Sequence, residues 1–191
     1  MRKLIRALYR VIAGEFTLVA WEFDQRSFKK ANMLIKQILT KNGINSFYPK
    51  AEWPHISVAL VQKPTREERN KIKLAAPVYK ENYTITGVEI LPGTENVDYI
   101  TFQLKVPKAH KEFFQFLIDV LGDDRVQKPR SYPEFKPHAS IITFEKKDLS
   151  KVEELLPLIK KTITRYFTVY KPDNILFWDD FEISEIEKAL L

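Results

Sequence analysis

The sequence predicts a single domain of mixed α and β structure that is built from two similar halves. Two observations support this prediction: a short motif occurs twice, and strand-like and helix-like segments surround both copies in a similar order. A third is the absence of a linker or low-complexity tract between the copies. The 191 residues, 45% of them apolar, suffice for one packed domain or for two small lobes that share a core.

The repeated motif reads Pro-His-apolar-Ser and opens an apolar run in both places. It contributes His55 and Ser57 in the first copy and His138 and Ser140 in the second. The chain has only three histidines, so finding two of them in the same setting indicates a motif rather than chance. Residues i and i+2 of a strand point to the same face, about 6.6 Å apart. Each copy is therefore predicted to present an imidazole and a hydroxyl side by side.

The segments before the first copy read as helix, strand and helix. Residues 1–14 hold four basic residues, no acidic one and apolar residues at helical spacing, which predicts a short basic amphipathic helix. We expect it to pack on the domain or to line a nucleic-acid face, and targeting is not favoured. Residues 15–23 read as a central strand, after which Asp24 caps a helix that runs to about residue 41.

The pattern continues with a second round of elements. Thr65 is predicted to cap a helix over 66–76, and residues 83–93 and 97–107 read as a hairpin. A helix over 108–121 follows, with His110 read as a solvated surface histidine among lysines. The sequence then predicts a long loop, a further helix, the last strands and a terminal helix, which cover 122–137, 149–162, 167–178 and 184–191 respectively.

Composition limits the classes of function. A net charge of +6 favours an anionic partner such as RNA. The absence of cysteine excludes disulfides and thiolate metal sites, and no apolar run is long enough to span a membrane. With three scattered histidines we expect no metal and no cofactor. We expect an intracellular monomer, cytoplasmic or nuclear.

Two H-x-S motifs in one chain of this length resemble the two-histidine (2H) phosphoesterase superfamily, and the resemblance covers most of the chain. It implies a bilobal α+β fold, in which two pseudo-symmetric lobes of antiparallel sheet and helices enclose a central cleft. It also implies that His55 and His138 face each other across that cleft and cleave RNA-type phosphodiesters without a metal ion. Ser57 and Ser140 are the other two residues to which the superfamily's roles carry over.

Two histidines suit this chemistry because phosphodiester cleavage needs two proton transfers. A base takes a proton from the attacking hydroxyl, and an acid gives one to the leaving oxygen. Histidine titrates near neutrality, so one copy can be neutral while the other is charged. The serines would donate hydrogen bonds to the non-bridging oxygens of the phosphoryl group. Which histidine is the base stays open at this point.

Candidate substrate contacts lie around the motifs. Tyr132 lies six residues before His138, which resembles the branch of the superfamily that trims the 3′ ends of small nuclear RNAs. A tyrosine near the second motif stacks on a base in that branch. Unpaired bases stack on aromatic faces at about 1–3 kcal/mol each. The further candidates are Tyr48, Trp53 and Trp178 for stacking, and Lys50, Arg130 and Lys136 for phosphates.

Three functions are compatible with these residues. The first is an RNA-processing phosphodiesterase that trims 3′ ends or acts on 2′,3′-cyclic phosphates. The second is degradation of signalling nucleotides, such as 2′,5′-oligoadenylates or cyclic oligonucleotides, as in viral members of the superfamily. The third is a non-catalytic module that binds a nucleotide in the same cleft. Intact histidine and serine in both motifs argue against the third.

Overall fold

A computed structural model describes residues 16–47, 55–93, 96–127 and 138–178. In this part of the chain we number four α-helices, α1 Gln25–Lys41, α2 Arg66–Ala75, α3 Lys108–Leu121 and α4 Leu149–Tyr166. The longer strands are β1 Phe16–Phe23, β3 His55–Gln62, β4 Tyr83–Pro92, β5 Val97–Lys105, β7 His138–Glu145 and β9 Pro172–Trp178. The short strands are β2 Ser46–Phe47, β6 Val126–Gln127 and β8 Val169–Tyr170. These elements confirm the sequence pattern, while the helices predicted over 1–14 and 184–191 lie outside the described residues.

The strands form two antiparallel sheets. Sheet A has the order β6-β3-β1-β9, and sheet B has the order β2-β7-β5-β4-β8. The two motif strands, β3 and β7, lie against each other, with Cα atoms within 8 Å. The α+β class with two antiparallel sheets is therefore confirmed.

The helices begin and end where the sequence places capping residues. Asp24 accepts hydrogen bonds from the first-turn N–H groups of α1 and, at 2.7 Å, from the Ser27 hydroxyl. Thr65 and Glu68 form a reciprocal capping box at the start of α2. Gly43 follows the end of α1 with a φ of +72°, a conformation that glycine adopts without steric cost.

The helices are divided between the sheets. α1 contacts β7, α4 contacts β4, and the two helices pack against each other on sheet B. α3 contacts β3 in sheet A, where the buried rings of Trp21 and Phe113 lie 5.2 Å apart. The first of the described helices thus covers the sheet that holds the second motif.

Each motif strand has a long partner and a short one among the described residues. β1 pairs with β3 and β5 pairs with β7 along the residues that carry the motifs. On the other side, the described pairs join β6 to β3 at Leu60 and Val61, and β2 to β7 at Thr143 and Phe144.

A buried asparagine satisfies a carbonyl at the register shift of β7. Ile141 is the residue that the shift between β5 and β7 leaves without a partner on β5. Asn32 on α1 is 1% exposed, and its Nδ2 donates a 2.8 Å hydrogen bond to the carbonyl of Ile141. A buried carbonyl without a partner would cost about 1–3 kcal/mol, so Asn32 stabilises β7 at this irregularity.

The prediction that His110 is a solvated surface histidine is wrong. Its side chain is 6% exposed, and its Nδ1 is joined to the hydroxyl of Tyr83 by a 2.7 Å hydrogen bond. His110 precedes Phe113, Leu117 and Leu121 on the buried stripe of α3, so helical spacing carries it inward. Burial lowers its pKa to about 4.

The prediction that the whole segment 122–137 is an irregular loop is also wrong in its first part. A 3₁₀ turn at Asp123–Arg125 leads into Val126–Gln127, which pairs with β3. Arg125 anchors this stretch, because its guanidinium donates to carbonyls at and just after the end of β3 and to Glu68 at 2.8 Å. That contact lowers the pKa of Glu68 to about 2. The remainder of the segment lies outside the described residues.

The buried histidine should make stability depend on pH. The unfolded chain binds a proton on His110 below pH 6.5, but the folded protein does so only near pH 4. Stability should therefore fall between these values, by about 2 kcal/mol at pH 5 relative to pH 7. Urea denaturation at both pH values measures this difference. In His110→Gln, most of this difference in unfolding free energy between pH 5 and pH 7 should disappear. An unchanged difference in that variant would show that His110 is not its source.

Removing the buried donor to β7 should destabilise the fold. Asn32→Ala leaves the carbonyl of Ile141 without that donor, and we expect a loss of about 1–3 kcal/mol in urea denaturation. Asn42→Ala is a matched control, because Asn42 also donates at 2.8 Å to a backbone carbonyl but at an exposed site. Equal losses of unfolding free energy in the two variants would show that the burial of the Asn32 hydrogen bond does not increase its contribution to stability.

Candidate active site

The structure places all four motif residues in equivalent positions. His55 is the first residue of β3 and His138 is the first residue of β7. Ser57 and Ser140 follow two residues later, and along each strand the four half-buried side chains alternate with fully buried ones. Each strand therefore carries its imidazole and hydroxyl on one face, as the spacing predicts.

In sheet A, the neighbouring strand adds a carboxylate to this face. The antiparallel register pairs Glu22 with His55 and Ala20 with Ser57. Directly paired residues point to the same face, with Cβ atoms about 4.5–5.5 Å apart. On the next strand, Asn174 donates from Nδ2 to Oε2 of Glu22 at 3.1 Å. Glu22 therefore lies on the same face as the first histidine, with its carboxylate bonded to the strand on the other side of β1.

In sheet B, the neighbouring strand adds an amide instead. The register pairs Gln103 with His138 and Thr101 with Ser140. Gln103 donates from Nε2 to Oε2 of Glu89 at 2.9 Å. The two sheets therefore offer similar groups in exchanged order, with a carboxylate next to His55 and an amide next to His138.

Sequence reasoning missed Glu22 and Gln103. Neither belongs to the motif, and each meets its histidine only through strand pairing. The sequence does contain one signal for them, because each is a polar residue near the end of an apolar strand. Glu22 follows an alanine and a tryptophan, and Gln103 follows an isoleucine, a threonine and a phenylalanine. A polar residue at that point of a central strand indicates a face that is not core.

Trp178 is the aromatic candidate that lies within the described residues. Its ring meets the imidazole of His55 edge to face, with centroids 5.6 Å apart and planes at 83°. The side chain is half-buried, so part of it remains accessible beside the histidine. Tyr48, Lys50, Trp53, Arg130, Tyr132 and Lys136 lie outside the described residues and stay predictions.

The arrangement brings two acid–base groups and two hydroxyls onto two adjoining strands. Among the described residues, no group of three or more His, Asp and Glu side chains is placed to hold a metal ion. A search of the same residues finds no helix with the length and hydropathy of a membrane span.

Comparison with known proteins identifies solved structures of similar fold, whereas no protein-family model and no curated protein matches the chain. Usb1 of Kluyveromyces marxianus aligns with a TM-score of 0.47 as the complex with uridine monophosphate and 0.46 without it, at 8% and 9% identity. Both alignments cover 87% of this chain and 99% of Usb1. The PDE domain of MHV ns2 aligns with a TM-score of 0.49 and 11% identity, over 86% of this chain and 97% of that domain. Identities this low and TM-scores below 0.5 do not carry an activity from those proteins to this chain.

Proposed function

We propose that the protein is a phosphodiesterase that cleaves RNA or oligonucleotides by general acid–base catalysis between His55 and His138. The observation that best supports the proposal is the matched placement of the two motifs. Two strands that lie against each other both begin with a histidine and both present a serine on the same face. A phosphodiester between the strands would meet one imidazole on each side.

The reaction follows from the roles of these groups. One histidine removes a proton from the attacking oxygen while the other protonates the leaving oxygen, so neither step requires a strong acid or base in solution. Ser57 and Ser140 donate hydrogen bonds to the non-bridging oxygens, where negative charge is concentrated. The proposal includes metal independence, because the two proton transfers and the hydroxyl donors account for the chemistry without one.

The distribution of charge supports a polyanionic substrate. α1 carries five basic residues and no acidic one, and α4 carries four basic and two acidic ones. The two packed helices thus have a net charge of +7, compared with +6 for the whole chain. A surface of this kind attracts a phosphate backbone and favours an oligonucleotide over a small uncharged substrate.

The basic helix pair is connected to the candidate site through the chain. α1 begins three residues after Glu22, which pairs with His55. Near this end of the helix pair, the half-exposed ring of Tyr166 lies 5.6 Å from both Lys30 and Arg165. An aromatic ring between two cations suits a single strand, whose bases stack and whose phosphates pair with cations.

Cleavage should depend on both motifs to graded extents. His55→Ala and His138→Ala should each lower single-turnover cleavage by about 10²–10⁴-fold, because each removes a proton-transfer group. Ser57→Ala and Ser140→Ala should cost at most about 10²–10³-fold. The double histidine variant should be little worse than either single variant, because the two groups act as a unit.

The measurement uses a panel of substrates with EDTA present: 3′-labelled RNA, a 2′,3′-cyclic nucleotide, 2′,5′-oligoadenylate and cyclic oligonucleotides. The products show whether the protein trims 3′ ends, opens cyclic phosphates or degrades signalling nucleotides. His110→Gln serves as the control and should retain activity. The proposal fails if EDTA abolishes cleavage and a divalent ion restores it, or if the histidine variants stay active.

The basic helix pair should contribute to binding of long RNA but not to chemistry. The double variant Lys30→Gln/Arg165→Gln removes two cations, so the slope of log affinity against log salt should weaken by about 1.4 for single-stranded RNA. Cleavage of a 2′,3′-cyclic mononucleotide should not change. Lys71→Gln is the control, because Lys71 lies on α2 and pairs with Glu67 at 3.2 Å. A salt slope like that of the unmodified protein would exclude this surface from RNA binding.

A further inference from the structure

Two neighbouring apolar side chains at the end of α2 are largely exposed. Leu74 is 81% exposed, and Val78, four residues later in the 3₁₀ turn Ala76–Tyr79, is 82% exposed. The other exposed large apolar side chains in the described part of the chain are at most 53% exposed. Residues four apart on a helical stretch are neighbours, so these two form one patch. An exposed apolar patch with polar residues around it is typical of a contact site.

Two lysines flank the patch and show how α2 lies against β9. The ammonium of Lys73 lies 5.7 Å from the ring centroid of Phe177, near the end of β9. The ammonium of Lys80 lies 3.9 Å from the carboxylate of Asp173, near the start of β9. The stretch from α2 through the 3₁₀ turn therefore runs along β9 in the opposite direction. We use the name α2 surface for four residues, Lys73, Leu74, Val78 and Lys80.

The chain leaves the described part of the structure beside the α2 surface. β9 ends at Trp178, directly after the residue whose ring Lys73 contacts. The 13 residues 179–191 follow. They span about 20 Å as a helix and up to about 45 Å as an extended chain, so they reach the α2 surface in either form.

The register of sheet A directs this segment toward α2 and away from the basic helix pair. Trp178 pairs with Leu18 near the start of β1, whereas the other end of β9 pairs with Phe23, just before α1 begins. The chain thus leaves β9 at the end opposite to the start of α1. Residues 1–15 lead into β1 at the same end as 179–191 leave it, so two segments outside the described ranges begin there.

Charge distinguishes the two segments. Residues 1–14 carry four basic residues and no acidic one, whereas 179–191 carry five acidic residues and one basic one, a net charge of −4. The lysines of the α2 surface repel the first segment and attract the second. Glu67 and Glu68 on α2 do not reverse this preference, because each is paired with a basic residue. The acidic segment also supplies large apolar side chains, among them Phe181, Ile183, Ile186 and Leu190.

We propose that residues 179–191 dock on the α2 surface of the same chain. Their acidic side chains lie near its two lysines, and their apolar side chains cover Leu74 and Val78. Docking fixes the chain directly after Trp178, whose ring lies 5.6 Å from the imidazole of His55. The contact is a property of the folded chain and does not depend on the proposed reaction.

A spin label tests the docking in the full chain. The protein has no cysteine, so Asn70→Cys provides a single thiol for a nitroxide, one turn before Leu74 on α2. The amide NMR signals of residues 181–190 should lose most of their intensity relative to the reduced label, because the paramagnetic centre broadens nearby signals. A label at Met33→Cys, an exposed position on α1, should leave those signals unchanged. Unchanged intensities with the Asn70→Cys label overturn the proposal.

A second variant separates docking from the nearness of a segment that is only tethered. In the protein labelled at Asn70→Cys, Leu74→Asp/Val78→Asp should restore most of the lost intensity, because it places two carboxylates against an acidic segment. Both positions are exposed, so the fold should be unaffected. Met33→Asp/Leu158→Asp changes two exposed apolar residues of the basic helix pair and should leave the broadening as it was. Broadening that persists in Leu74→Asp/Val78→Asp contradicts docking.

Other occupants of the α2 surface give different results in the same experiment. Broadening that grows with protein concentration identifies a second copy of the chain. Loss of intensity for residues 1–14 instead of 181–190 identifies the basic segment. Either result overturns the proposal.

Discussion

The candidate site depends on the close approach of two strands that belong to different sheets. Over the described residues that bear the motifs, β3 pairs with β1 and β7 pairs with β5, and β3 and β7 come within 8 Å of each other at their Cα atoms. A further full strand between them would separate the two histidines by a strand width of about 4.8 Å or more. Asn32 stabilises β7 at its register shift by donating a hydrogen bond to the carbonyl of Ile141.

The two sheets that meet there have similar geometry but a different order of charged and neutral side chains. The equivalent rows have a histidine and a serine on the motif strand, and a carboxylate bonded to an amide on the strands beyond. The strand next to His55 carries the carboxylate Glu22, whereas the strand next to His138 carries the amide Gln103. The two halves of the site are therefore similar in backbone geometry without being identical.

The sequence predicts most of this fold because its elements are locally consistent. Caps such as Asp24 and Thr65, and alternating apolar runs around His55 and His138, are signals that neighbouring residues carry. The residues that were misplaced or missed are fixed by contacts that a local sequence pattern shows weakly or not at all. His110 is flanked by lysines, and only its spacing from Phe113 and Leu117 shows that it turns inward. Val126 becomes part of a strand because Arg125 is fixed to the end of β3. Glu22 and Gln103 gain their roles from strand register, which joins segments far apart in the chain.

The order in which strands join the sheets has a consequence for synthesis of the protein. β9 is the last strand in the described order of sheet A. The hydrogen bond from Asn174 to Glu22 therefore cannot form until the chain has grown by 152 residues beyond Glu22. α1 likewise depends on Ile141, 109 residues away, for its buried hydrogen bond. Contacts of such long range slow folding, because the intervening chain must be ordered first. A chain emerging from a ribosome therefore holds His55 on a half-built sheet, with apolar strand surface exposed to chaperones, until Asn174 has been synthesised. The face that carries the candidate site can become complete only after that point.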